Sequence, residues 1–222
     1  MTRSLKALLR AARCLLPSFG LFLLGGTVVG CDGDDSPQYH PQEGDVLFQA
    51  LPKGFDLVRA IEGVSGSNYS HCGIVIKSEE GDWRVYEAFG PVGSVSLENW
   101  KNRGRGQKFA AYRIEDENAT VIPKLLAALP KYAKRPYDVR YRMDDGFIYC
   151  SELIYKAYRD ATGKPLGKLI RLGDMNWRPY VATIRKYEMG PPPLDREMIT
   201  PIELSKAPQL TKVFDNGLAD ER

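Results

Sequence analysis

Tyr149-Cys150-Ser151-Glu152-Leu153-Ile154-Tyr155-Lys156-Ala157-Tyr158-Arg159-Asp160-Ala161-Thr162-Gly163 is the stretch on which the fold turns. Apolar side chains recur at 153, 154, 157, 158 and 161, the spacing of one helix face, and Gly163 followed by Pro165 stops the pattern. Cys150 therefore stands at a helix N-terminus. Unpaired backbone N–H groups and the positive end of the helix dipole favour a thiolate there, lowering its pKa below the ordinary value of about 8.5. That is half of a nucleophile; the other half is a base.

The chain holds two histidines, and His40 lies in a polar segment before the first strand pattern, which leaves His71 as the partner by elimination. Ser70-His71-Cys72-Gly73-Ile74-Val75-Ile76-Lys77 reads as a strand, residues 78–82 as a turn, and residues 83–89 as its antiparallel partner. Strand alternation sets His71, Gly73 and Val75 on one face and Cys72, Ile74 and Ile76 on the other. If His71 faces the nucleophile, Cys72 faces the core, which argues against a Cys72–Cys150 disulfide. Glu87 on the neighbouring strand can reach the imidazole and hold its tautomer and charge. Plainer readings stand beside these on spacing alone: Cys150 as a small buried hydrophobe, His71 as a hydrogen-bonded strand residue and Glu87 as a solvent-facing one.

Working outward, Asp45-Val46-Leu47-Phe48 suits a short buried strand and residues 55–61 have helical spacing. A further strand is expected at 109–114, after the basic, glycine-rich loop 101–108. Residues 120–134 are helical in composition, with Pro123 near the start and Pro130 ending or kinking the segment. Beyond Gly173 the chain is punctuated by proline, and the one element read there is a strand at 180–184. No internal repeat is present.

These residues resemble the NlpC-related papain-like peptidases, and more closely their circularly permuted branch, the permuted papain-like amidases. Gly44-Asp45-Val46-Leu47-Phe48, Ser70-His71-Cys72-Gly73-Ile74 and Tyr86-Glu87-Ala88 come first here, whereas Pro136-Tyr137-Asp138 and Tyr149-Cys150-Ser151-Glu152-Leu153-Ile154 follow. In the unpermuted enzymes the cysteine-led segment precedes the others. Leu97 to Trp100, Asp144-Asp145, Thr200-Pro201 and 207–210 also look like the permuted branch, and the resemblance spans about residues 44–215. It implies an α+β fold, an antiparallel sheet packed against a cysteine-bearing helix. It further implies Cys150 as nucleophile, His71 as base, Glu87 as the orienting residue, and Tyr137 as a tyrosine whose hydroxyl lies near the oxyanion site. Cys72 departs from the usual aliphatic residue at its position.

The implied chemistry is acyl transfer through a thioester, with the oxyanion against the backbone N–H of Cys150 or Ser151. Glu152 reads as a first-turn helix acid or ion-pair partner. No cofactor is expected: phosphate loops and dinucleotide fingerprints are missing from the sequence. No metal is expected either, since no C-x-x-C occurs and His40 lies apart from His71.

The N-terminus sets the compartment. Residues 1–30 carry Arg3, Lys6, Arg10 and Arg13 and no acidic residue, then an apolar run broken by Pro17 and glycines, which reads as a signal peptide. Val28-Val29-Gly30-Cys31 resembles the bacterial lipobox, making Cys31 the lipidated first residue of the mature chain and residues 31–43 a polar tether. Asp32 suggests retention at the inner membrane. The rest of the chain carries 27 basic and 28 acidic residues, so charge gives no reason to expect a nucleic-acid partner.

The domain from 44 to 222 is therefore expected to be a thiol amidase or peptidase of the bacterial cell envelope, facing periplasm or exterior. Its expected partners are the membrane, through Cys31, and an amide substrate: a peptidoglycan peptide or an acyl-amide lipid. Two alternatives are an acyltransferase or lipid hydrolase, an order shared with enzymes similar to lecithin:retinol acyltransferase, and a lipoprotein that binds without turnover. Specificity is expected in loops 62–69, 101–108 and 172–198.

Overall fold

The computed structural model describes residues 38–116 and 120–219. The expected signal peptide, the Cys31 lipobox and the first part of the tether fall outside them. Residues 38–43 are described, and they are not a free tether. The Tyr39 hydroxyl donates to Asp45 (2.8 Å), and its ring packs on Phe109 and Phe214, with centroids 5.4 Å from each. The folded unit thus begins before Gly44, because Tyr39 brings apolar area to a segment otherwise polar.

Six strands form one antiparallel sheet: β1 (Val46–Gln49), β2 (His71–Lys77), β3 (Trp83–Glu87), β4 (Gly93–Ser96), β5 (Phe109–Ile114) and β8 (Leu210–Asp215), in the order β4-β3-β2-β1-β5-β8. A two-stranded ribbon, β6 (Ile170–Arg171) with β7 (Glu197–Met198), lies apart from it in the pairing. The helices are α1 (Asp56–Ser65), α2 (Leu97–Arg103), α3 (Val121–Ala128), α4 (Cys150–Thr162), α5 (Val181–Glu188) and α6 (Pro201–Ser205). The architecture is α+β.

Alternation along the central strands divides the core in two. Val46, Phe48, Cys72, Ile74 and Ala110 join the main cluster with Leu153, Ile154 and Ala157 of α4. Leu47, Val75, Val85 and Ala111 point the other way, onto Trp100 of α2. Both faces are buried, so β1 is apolar at nearly every position rather than alternating.

Local chemistry explains the ends of the elements. Gly163 caps α4 in the left-handed region (φ 72°), which a side chain would strain. Ser96 accepts the Asn99 N–H at the start of α2, and Thr200 accepts that of Glu203 at the start of α6, with Pro201 in the first turn. The helix expected at 120–134 ends at Ala128, and Pro130 sits in the 3-10 turn Leu129–Tyr132 that follows. The strand expected at 180–184 is corrected: a 3-10 turn, Arg178–Tyr180, leads into helix α5. Val181, Thr183 and Ile184 carry strand propensity, but packing against α1 decides the outcome.

Candidate active site

The site is assembled at the end of β2 where β3 stops. The Val75 N–H bonds the carbonyl of Asp45, the residue before β1, so in β2 the odd N–H groups face β1 and the even ones face β3. The β2–β3 ladder runs out at Ile74↔Tyr86, which leaves the Cys72 N–H past the last pair. Cys72 and the His71 ring both act on the Cys150 sulfur near this point and favour its thiolate.

Cys150 is carried there by the first turn of α4. Tyr149, extended at φ −101° and ψ 168°, precedes it, and its N–H donates to the Glu152 carboxylate (3.1 Å). Tyr149 Oη accepts the Ile199 N–H (3.1 Å), and the Ser151 hydroxyl donates to the Ile199 carbonyl (2.7 Å). Both neighbours of Cys150 are thus tied to one residue of the segment after β7. Lys156, itself buried, bonds Glu152 (2.7 Å), Asp145 (2.8 Å) and the carbonyls of Met143 and Asp144, pinning loop 143–145 to the helix. Burial raises the Glu152 pKa to about 7 against the pull of Lys156. Its place as a first-turn acid and ion-pair partner is as the sequence indicated.

On the other face of the sheet, His71 Nε2 meets Glu87 Oε2 at 2.6 Å, and both are almost fully buried. Gly73 makes the close strand pairing possible, since a Cβ there would stand 2.4 Å from a Val85 methyl and 3.3 Å from the Glu87 Cβ. Arg103, at the C-terminal end of α2, donates to the same Glu87 oxygen (2.5 Å) and lies over the Phe89 ring at 3.9 Å. Phe89 in turn sits edge-on to His71, with centroids 5.5 Å apart.

The electrostatics of the cluster agree with one another. Burial pulls the His71 pKa down, but hydrogen bonds to Cys150 and Glu87 outweigh it and raise it to about 9. The Cys72 thiol and then His71 hold Cys150 well below the usual thiol range despite burial. Burial would raise Glu87, yet His71 and Arg103 hold it low, while burial and Cys150 push Cys72 up. All three directions favour a Cys150 thiolate beside a protonated His71 backed by the Glu87 carboxylate.

One expectation is corrected here. Cys72 does face the main core, but that is also the side from which α4 delivers Cys150, so the two sulfurs are neighbours rather than separated by the sheet. Both are free thiols. The alternation was read correctly and the position of the helix was not. His71 reaches the same sulfur from the other face because Cys150 stands at the end of the strand.

Tyr137 also lies in this region, and its phenol feels the Cys150 charge. Its hydroxyl is 3.0 Å from that of Tyr141, which sequence reasoning passed over. Tyr141 adopts a left-handed backbone (φ 54°), and its ring packs on Tyr149 at 4.7 Å. Asp138 holds the turn by accepting the N–H groups of Arg140 (2.9 Å) and Arg142 (2.7 Å). Arg103 was likewise missed, although it lies in the basic loop assigned to specificity.

The comparisons with known proteins bear on the family and the fold. The family described as "Permuted papain-like amidase enzyme, YaeF/YiiX, C92 family" matches residues 40–214. The uncharacterized protein YiiX of Escherichia coli (strain K12) is 31% identical over 178 residues, covering 79% of this chain and 87% of that protein. The crystal structure of metalloprotein YiiX from Escherichia coli O157:H7, DUF1105, superposes with a TM-score of 0.74 at 30% identity, covering 80% of this chain and 99% of that one. A cysteine-led helix placed after its histidine strand, and a family match over most of the folded region, lead to one conclusion: the chain belongs to the permuted papain-like amidases of the C92 peptidase family.

Proposed function

We propose that this protein is a thiol-dependent amidase or peptidase of the bacterial cell envelope, held at the membrane by a lipidated Cys31, with Cys150, His71 and Glu87 as its reacting group. The observation that carries this reading is the convergence of the Cys150 sulfur, the His71 ring and the Glu87 carboxylate in one buried cluster. The Cys150 thiolate attacks the amide carbonyl, and backbone N–H groups at the start of α4 receive the oxyanion. His71 passes its proton to the departing amine, then takes one from the water that opens the thioester. Glu87 keeps the ring oriented and charged, and Tyr137 stands beside the reacting sulfur.

YiiX is described as a metalloprotein. In this chain, no three His, Cys, Asp or Glu side chains among the described residues form a group that could hold a metal ion. His71 Nε2 is already committed to Glu87. Among the described residues the donors do not group to hold a resident metal, and the proton steps above need only the side chains named.

The test is the rate of Cys150 alkylation by iodoacetamide against pH in the full-length protein, with mass spectrometry identifying the modified residue. The expected result is a reactive pKa far below about 8.5 that His71→Ala abolishes, together with Cys150-dependent release of amines from peptidoglycan peptides. An ordinary or unreactive thiol overturns the proposal.

A further inference from the structure

Gln49 ends β1 and is fully buried, yet neither its Oε1 nor its Nε2 finds a hydrogen-bond partner among the described residues. An amide buried in this way costs stability that an apolar side chain of similar size would not. A polar group kept at such a position calls for a partner or a role.

Three observations place the amide. Gln49 is the cross-strand partner of His71, so the two side chains stand together on the α2 face of the sheet. Its Oε1 lies against Gly104, the residue after Arg103: a Cβ on Gly104 would stand 2.6 Å from that oxygen, and the Arg105 N–H holds the same turn to the Ala50 carbonyl (2.7 Å). Trp100 and Arg103 follow one another on one side of α2, and Trp100 Nε1 and Arg103 Nε are likewise buried without a partner among the described residues. The Trp100 ring is 6.4 Å from that of His71. The orphaned atoms thus gather around the His71 ring and the turn that carries Arg103.

Their chemistry selects an occupant. Gln49 Nε2, Trp100 Nε1 and Arg103 Nε donate, and Gln49 Oε1 accepts. A buried water makes about three hydrogen bonds, and it can accept from two of these donors while giving a proton to the oxygen. An anion would set a second negative charge beside the Glu87 carboxylate and against the Gln49 oxygen. We infer that Gln49, Trp100 and Arg103 hold one internal water beside His71, and that Gln49 is a positioning residue of the reaction. Through that water Gln49 fixes the Arg103 guanidinium, which grips the Glu87 oxygen shared with His71. The inference rests on the thiol-amidase reading and adds a residue to it.

Two measurements on the full-length protein test it. A crystal structure is expected to show a water within hydrogen-bond distance of both Gln49 Oε1 and Arg103 Nε; a direct contact between them, or no water, overturns the inference. Turnover is read as Cys150-dependent hydrolysis of p-nitrophenyl acetate, with folding checked by thermal melting. Gln49→Leu, close in volume but without the amide, is expected to slow it about ten-fold. The double variant with Arg103→Met is expected to be no slower than Arg103→Met alone, because both changes break one chain of contacts. A merely structural role for Gln49 would multiply the two losses instead. Gly104→Ala stands in if Gln49→Leu does not fold: φ −66° and ψ 146° suit any residue there, but the added methyl displaces the Gln49 amide. Its smaller loss is also expected to vanish beside Arg103→Met. Losses that multiply, or full activity in folded Gln49→Leu, overturn the inference. A Cys150 that iodoacetamide fails to modify in the unaltered protein overturns the thiol reading instead, and the water is read independently of it.

Discussion

The two faces of the sheet contribute to the site in different ways. The α4 face delivers sulfur: Cys150 from the helix and Cys72 from β2 meet within the main core. The α2 face delivers proton control: His71, Glu87 and Arg103 form a hydrogen-bonded row above Trp100, whose ring is 6.4 Å from His71. One face places the Cys150 sulfur by helix geometry, the other sets charge by buried ionic partners. The faces meet only at the end of β2, where adjacent residues on opposite sides of the strand both reach one atom. A reaction that needs a thiolate and a proton donor together depends on that junction.

Removing the charge on the α2 face tests the division most severely. Glu87→Gln keeps the shape but withdraws the carboxylate that supports the imidazolium, so the His71 pKa falls below about 9. Amide turnover is expected to fall by about 100-fold. The alkaline limb of its pH profile, set in the unaltered protein by loss of the His71 proton near pH 9, moves to lower pH. An unchanged limb would show that Glu87 does not support His71.

Arg103→Met is the next largest. Arg103 shares the Glu87 oxygen with His71, so it holds the carboxylate in place while drawing off part of its charge. Without it Glu87 is less well positioned, and turnover is expected to fall about ten-fold. At the same time the imidazolium gains a fuller counter-charge and loses a neighbouring cation, so the alkaline limb moves above pH 9. The two arginine and glutamate variants therefore shift the limb in opposite directions, which a merely structural role for Arg103 would not produce. Arg103→Lys keeps the charge without the contact over Phe89 and restores the limb more than the rate.

The contrast between the faces is also a contrast in what the sequence discloses. The α4 face was legible because a thirteen-residue helix announces itself by period and by its glycine stop, and β2, β3 and β5 by short apolar runs between turns. Glu87 followed from strand adjacency. Arg103 had no such signal, because its partner is set by where α2 packs on the sheet, a long-range outcome that local spacing does not encode. Tyr141 was hidden for a related reason: its left-handed backbone depends on the Asp138 carboxylate closing a turn. β4 and β8 are short or half-exposed and carry no clean alternation, and α5 is rich in β-branched residues that suggest a strand. Of the loops assigned to specificity, 101–108 instead supplies Arg103 to Glu87 and Arg105 to Glu62.

The finest test lies on the α4 face. Cys72 was read as a core residue turned away from the chemistry, yet its thiol and its N–H are among the causes that hold the Cys150 thiol low. The N–H belongs to the backbone and survives any substitution; the thiol does not. Cys72→Ala therefore removes one donor to the thiolate, and the acid limb of Cys150 alkylation is expected to move up by about half to one pH unit, slowing the reaction below that limb several-fold. Cys72→Ser retains a donor of similar length and should leave the limb near its original place. If packing rather than hydrogen bonding were the role of Cys72, the two variants would shift the limb alike, or alanine, the more apolar, would disturb it less. Serine rescuing what alanine loses places the Cys72 side chain with the thiolate it solvates.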